Sequence, residues 1–190
     1  MSPNEPSESA TGLVLSVLHA EFDLDIPRSL ARDFVTQLES LDISHPTELT
    51  SAELADLFLS IYARDASPLR YLSSRVTSAS ANSSVVVRLR FDERHVVVDA
   101  SGTGPLDAFV QGLSSSLGIE MQLRHFSSHA LASGNTAAAV AYVCALHRDI
   151  LGLPYEVWGV GTDRSILDAS FKAVVASVNR SHWRPVTVLF

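Results

Sequence analysis

The chain holds one cysteine, one lysine and no apolar run approaching the roughly 20 residues needed to cross a bilayer. The lone Cys144 excludes a disulfide framework and a cysteine-based metal site. With Lys172 the single lysine, no lysine-anchored phosphate loop can be drawn. The arginines are scattered without a basic cluster, and the formal net charge is −7 with a pI near 5.4. That balance argues against a nucleic-acid surface, which needs clustered cations to replace phosphate counterions. The segment from Met1 to Ser9 lacks the basic and apolar regions of a signal peptide. A cytoplasmic protein that avoids membranes is expected. No two of the seven histidines stand i, i+4 on a predicted helix or share a strand face with a carboxylate, and neither metal nor cofactor is expected. His125 and His129, four apart where a strand meets a loop, give only weak support for a shared site.

What is present is a phrase written twice. Val96 to Phe109 carries an apolar run, Gly102-Thr103 and then Leu106-Asp107-Ala108; Glu156 to Phe171 carries an apolar run, Gly161-Thr162 and then Leu167-Asp168-Ala169. Each copy reads as a strand, a Gly-Thr turn and the opening of a helix. A duplicated supersecondary unit packs copy against copy, and the seam is a natural place for a ligand.

Around the repeat, residues 1–11 are rich in Ser, Pro and Glu and read as a disordered tail. Residues 12–72 read as a helical subdomain. Pro27 followed by Leu30, Phe34, Leu38 and Leu41 predicts one helix, and a capping box of Thr50 and Glu53 before Leu54, Leu57, Phe58 and Ile61 predicts another. The Ser-rich residues 73–84 read as a linker or an edge strand. From Val85 the period becomes strand-like, with Val85 to Phe91 and His95 to Ala100 flanking Asp92-Glu93-Arg94 as a hairpin. A helix over 105–117, strands over 119–128, 137–147 and 155–160, and a helix over 163–179 follow. The class is α+β: duplicated βββα-type units in a mostly antiparallel sheet covered by helices, spanning 85–182, with a tail over 183–190.

Taken alone, Gly102-Thr103-Gly104-Pro105 and Gly159-Val160-Gly161 read as structural turns. The first could present backbone amides to an anion at a helix start. His147-Arg148-Asp149 lacks the following asparagine of a kinase catalytic loop. Ser127, Ser128 and His129, with Asp107 or Asp168, offer triad residue types without a nucleophile elbow.

Ser101 to Phe109, then His129-Ala130-Leu131-Ala132-Ser133-Gly134, Trp158-Gly159-Val160-Gly161 and Ala169 to Arg180, in that order, resemble the regulatory, or allosteric dimerisation, domain of the 2-isopropylmalate synthase family. Gly12 to Leu30 is similar to the segment after the catalytic barrel of those enzymes. The resemblance implies two βββα units that dimerise and bind leucine at the seam as feedback inhibitor. It also implies that the TIM barrel lies outside this stretch, so autonomous condensation of acetyl-CoA with a keto acid is not expected. Leu15 falls where a tyrosine assists the active site. Thr103 replaces the usual asparagine of the turn, Phe126 a common tyrosine, and Asn135 to Ala138 a stretch that usually holds an acidic residue.

On this resemblance Gly102, Thr103, Gly104, Pro105, Phe126, His129, Ala130, Thr136 and Ala137 line a site for leucine or a related amino or keto acid, in a homodimer or a dimer with a full-length synthase. The role implied is sensing linked to leucine or branched-chain acid biosynthesis. The alternative is a repurposed stand-alone enzyme of secondary metabolism, using the seam pocket with His125, Ser127, Ser128 and His129 as acid–base or polarising groups.

Overall fold

A computed structural model describes residues 7–63, 68–79, 82–131, 138–149 and 151–181, which divide into two compact units. The first is helical: α1 (Glu8–Phe22), α2 (Arg28–Ser40), a 3₁₀ turn (Pro46–Glu48) and most of α3 (Ser51–Tyr62). Helix α1 begins inside the stretch expected to be a disordered tail. Ala10, Thr11, Val14 and Leu18 give it a buried face at helical spacing. Glu8 in its first turn is held by Arg28 and Arg32. The residues at 1–6 lie outside the described residues.

Helix α2 buries Leu30, Phe34 and Leu38 as the periodicity requires, but it ends at Ser40 and leaves Leu41 52% exposed. The capping box of α3 is present: the Thr50 amide donates to Glu53 Oε2 (2.9 Å) and the Glu53 amide to Thr50 Oγ1 (3.3 Å). Phe34 meets Phe58 edge to face, with centroids 5.3 Å apart, closing the helical core.

The second unit contains two antiparallel three-stranded sheets. One is β1 (Leu69–Ala79), β2 (Asn82–Phe91) and β3 (Arg94–Gly102), followed by helix α4 (Pro105–Leu117). The other is β4 (Met121–Ala130), β5 (Ala139–Arg148) and β6 (Pro154–Asp163), followed by α5 (Ile166–Arg180). These are the two expected βββα units, with the strands split between two sheets. Residues 73–79 are no linker: they form most of edge strand β1, whose serines and Arg75 suit an exposed edge. The tail at 183–190 lies outside the described residues.

Helix α4 packs on β3 and β2, while α5 packs on β6 and β5 and also reaches β1. Val85, Val87, Leu89, Phe109, Leu113, Ala141, Val143, Phe171 and Val175 join in one core. Phe109 and Phe171, from the two helices, meet with centroids 5.0 Å apart. Leu69 is pinned to α5 by Asn179, which accepts from its amide (2.9 Å) and donates to its carbonyl (2.7 Å).

The two halves reach the same close helix–strand approach by opposite means. Counting from the helix starts, Gly112 of α4 and Ala173 of α5 hold equivalent positions; counting back from the strand ends, so do Val98 and Gly159, and Ala100 and Gly161. In the first half the glycine is on the helix: a Cβ at Gly112 would lie 2.3 Å from Val98 Cγ1. In the second the glycines are on the strand: a Cβ would lie 2.2 Å from the Ala173 carbonyl at Gly159, and 2.1 Å from that of Ala169 at Gly161. Gly159-Val160-Gly161 is therefore strand and not a turn. The repeated Gly-Thr pairs do not superpose either, since Gly102 corresponds to Asp163, although the two Leu-Asp-Ala openings do.

His147 sits 3% exposed near the end of β5, between its register partners Met121 and Tyr155, and its Nε2 has no hydrogen-bond partner among the described residues. Burial pulls its pKa from 6.5 down to about 4. The unfolded chain therefore takes up this proton first, and the stability tied to neutral His147 is complete above about pH 6.5 and lost as the pH falls toward 4. Urea unfolding should show a loss of about 2 kcal/mol between pH 7 and pH 5 from this group. A His147→Phe variant should lack that component; an unchanged pH slope would refute the assignment.

Candidate functional site

The two helix starts meet at one cleft of about 470 Å³. The β3–α4 connection supplies Thr103, Gly104, Pro105, Leu106 and Asp107; strand β4 supplies Phe126 and Ser128; α5 supplies Ile166, Leu167 and Ser170. Its size falls in the usual range of small-molecule sites. The lining is mostly apolar, and Phe126 (43% exposed) and Ile166 (50% exposed) stand open to solvent within it.

The polar groups follow from local structure. Pro105 opens α4 without needing an N–H. The first intrahelical bonds run from the Ala108 amide to Gly104 and from the Ala169 amide to Ser165, so the amides of Leu106 and Leu167, in the first turns, are left over from the helical ladders. Asp107 Oδ2 accepts from the Thr103 amide (2.9 Å), the Thr103 hydroxyl (3.0 Å) and Gln111 Nε2 (2.9 Å), locking the turn. The Thr103 amide foremost, then Gln111, holds this carboxyl below its ordinary pKa. Its Oδ1 carries none of these bonds.

Asp168, at the matching position of α5, is used differently. Its carboxylate accepts from the Tyr71 hydroxyl and from Ser74 Oγ (2.7 Å), tying α5 to the edge strand of the other half. Burial, then the bond to Asp168, pushes the Tyr71 pKa up. Asp168→Ala would remove the acceptor that both hydroxyl groups share, at a cost of about 1–2 kcal/mol in urea unfolding; a Tyr71→Phe background should absorb much of that cost.

Of the residues marked in the sequence, Thr103, Gly104, Pro105 and Phe126 line the cleft. Gly102 lies behind it, where a Cβ would approach Asp107 Oδ2 to 2.6 Å and the Ala108 amide to 2.7 Å. Ala130 shares the strand face of Phe126 and Ser128 but stands beyond the lining. His129 points the other way and stacks on Tyr142 with centroids 5.7 Å apart, because strand alternation sends it to the opposite face. It is not a cleft residue. Thr136 and Ala137 lie outside the described residues.

Leu106, Asp107, Ile166, Leu167 and Ser170 were not singled out as ligand residues. The signal for most of them was the repeat itself: Leu-Asp-Ala opens both helices, and both openings face one cleft. The four enzyme candidates are divided. His125 Nε2 is 3.3 Å from Ser127 Oγ on the face with His129, His125 lies against Trp158, and Ser128 is on the cleft side. Three of the four thus lie on the face away from the cleft, and only Ser128 lines it. Among the described residues no group of three or more His, Cys, Asp or Glu is placed to hold a metal, and no helix is long and apolar enough to cross a membrane.

Two βββα halves whose helix starts converge on an open apolar cleft define a duplicated α+β module with the shape of a small-molecule site. Residues 48–182 match the model of the LeuA allosteric (dimerisation) domain, and the chain belongs to that family. It is similar to the 2-isopropylmalate synthases of Parafrankia sp. (36% identical), Parvibaculum lavamentivorans (34%) and Corynebacterium glutamicum (34%), in each case over 92% of this chain. It spans only 31%, 30% and 28% of those relatives.

Proposed function

We propose that the chain senses leucine or a related small acid in the cleft between its helix starts, acts as a dimer, and is linked in this way to leucine or branched-chain acid biosynthesis. The observation that carries this reading is the pairing of apolar walls with oppositely charged polar ends. Leu106, Phe126 and Leu167 suit a branched aliphatic side chain. The first-turn amides and the positive ends of two helices suit a carboxylate. Asp107, kept ionised and with Oδ1 outside its own turn's bonds, is the acceptor an ammonium group needs when it leaves water. This offers a counter-charge in place of the acidic residue missing from 135–138.

Membership of a dimerisation-domain family supports a dimer, formed either with itself or with a full-length synthase. The stand-alone enzyme is disfavoured by the split placement of its proposed residues. Thermal unfolding with added ligand tests the reading: leucine should raise the Tm in a saturable way. Its 2-keto analogue, which lacks the ammonium, should need at least about tenfold more ligand for the same shift, the loss of one charge-assisted bond. Equal potency of the two would remove Asp107 from the account.

A further inference from the structure

The arginines that look scattered in sequence are gathered by strand register. On the outer face of the β1-β2-β3 sheet, Arg70 pairs with Arg90 and Arg90 with His95; in the next row Arg88 lies between Ser73 and Val97; in the next Val86 lies between Arg75 and Asp99. Four arginines and a histidine thus share a three-stranded face with one carboxylate. Arg70, Arg75 and Arg88 are exposed, and none of the four arginines makes an ion pair or side-chain hydrogen bond among the described residues. Like charges placed directly opposite, as in Arg70 and Arg90, destabilise a sheet unless something of opposite charge meets them. Leu72 (42% exposed) and Val97 (56% exposed) border a shallow depression of about 340 Å³ beside Arg88 and His95. Exposed apolar groups among arginines are the composition of a protein interface.

The opposite charge is elsewhere in the same chain. Residues 1–61 contain eleven Asp and Glu against two arginines, net −9, whereas residues 62–190 carry net +2. Glu39, Asp42 and Asp56 of the helical unit are exposed and make no ion pair among the described residues.

We propose that the arginine-bearing face of the first sheet docks on the acidic helical unit of a second copy of this chain, each copy giving its sheet face and receiving the other's helices. The proposal rests on the dimer reading above and names a surface for it. Two such contacts per dimer would be satisfied by one two-fold axis.

Sedimentation of the full chain tests it. Dimerisation should weaken at least tenfold between 50 mM and 500 mM salt. Arg70→Glu with Arg90→Glu should weaken it at least tenfold at low salt, and adding Glu39→Arg, Asp42→Arg and Asp56→Arg should restore most of the loss. Arg70→Gln with Arg90→Gln gives a milder version should the reversal variant misfold. A dimer indifferent to salt and to these variants overturns this contact alone; a wild-type monomer under all conditions overturns it together with the dimer reading. Wild-type binding of a DNA or RNA duplex, lost in the arginine variants, would assign the face to nucleic acid and overturn it too.

Discussion

Gly161→Val should unfold the second unit at moderate temperature. A side chain there would need the space now held by the Ala169 carbonyl, 2.1 Å from the ideal Cβ, and by the Ala173 amide, 2.4 Å away. Both are backbone atoms inside α5, so no rotamer change relieves the clash and the helix must lift off β6. Overpacking of side chains costs about 1–3 kcal/mol, and a backbone displacement that also opens the Phe171 and Val175 layer should cost at least about 4 kcal/mol. For a chain of this size that lowers the Tm by about 8–16 °C. Gly112→Ala is the internal control. It meets the Val98 and Ala100 side chains, at 2.3 and 2.9 Å, in place of helix backbone, so the loss should be the smaller one of about 1–3 kcal/mol. Equal tolerance at the two sites would contradict the mirrored packing of the halves.

The second large effect concerns the ligand. Ser128 projects from β4 into the cleft between Phe126 and the α5 start and is only half-buried. Ser128→Trp places an indole where the aliphatic part of the ligand would lie, without disturbing the core. Leucine affinity should fall at least about 100-fold, equivalent to about 2.7 kcal/mol, while the Tm in the absence of ligand stays within a few degrees. His129→Ala, by contrast, should leave affinity unchanged because its ring lies on the far face against Tyr142.

Much of this molecule was legible in its sequence where one periodicity dominates. The α2 stripe, the Thr50 capping box, the β2–β3 hairpin and the two helix openings follow from spacing and turn chemistry. The first helix was missed because Ser and Glu at its start resemble a solvated tail, and the buried face of its first turn is carried by the small residues Ala10 and Thr11, which give little apolar signal. Strand β1 was obscured by the serines that suit an exposed edge.

At the site, Thr103 to Pro105 and Phe126 could be marked, but which way a strand residue points depends on register. The bulge between Leu123 and His125 shifts that register by one, so His129 and Ser128 could not be assigned faces from spacing. The different fates of Asp107 and Asp168 were equally hidden. Each opens its helix on the same tripeptide, yet one closes its own turn and the other reaches across to Tyr71. The arginine face is the same lesson in charge: residues spread from 70 to 90 become neighbours only when the hairpins pair.

The central claim, that the cleft at the paired helix starts is a small-acid sensor, is tested most directly by titrating leucine into the wild-type chain and into Ser128→Trp by calorimetry. Saturable binding at one site per chain in the wild type, lost in a folded Ser128→Trp variant, is the expected result. Absence of binding by a folded wild-type dimer, or unchanged binding in the variant, would contradict it.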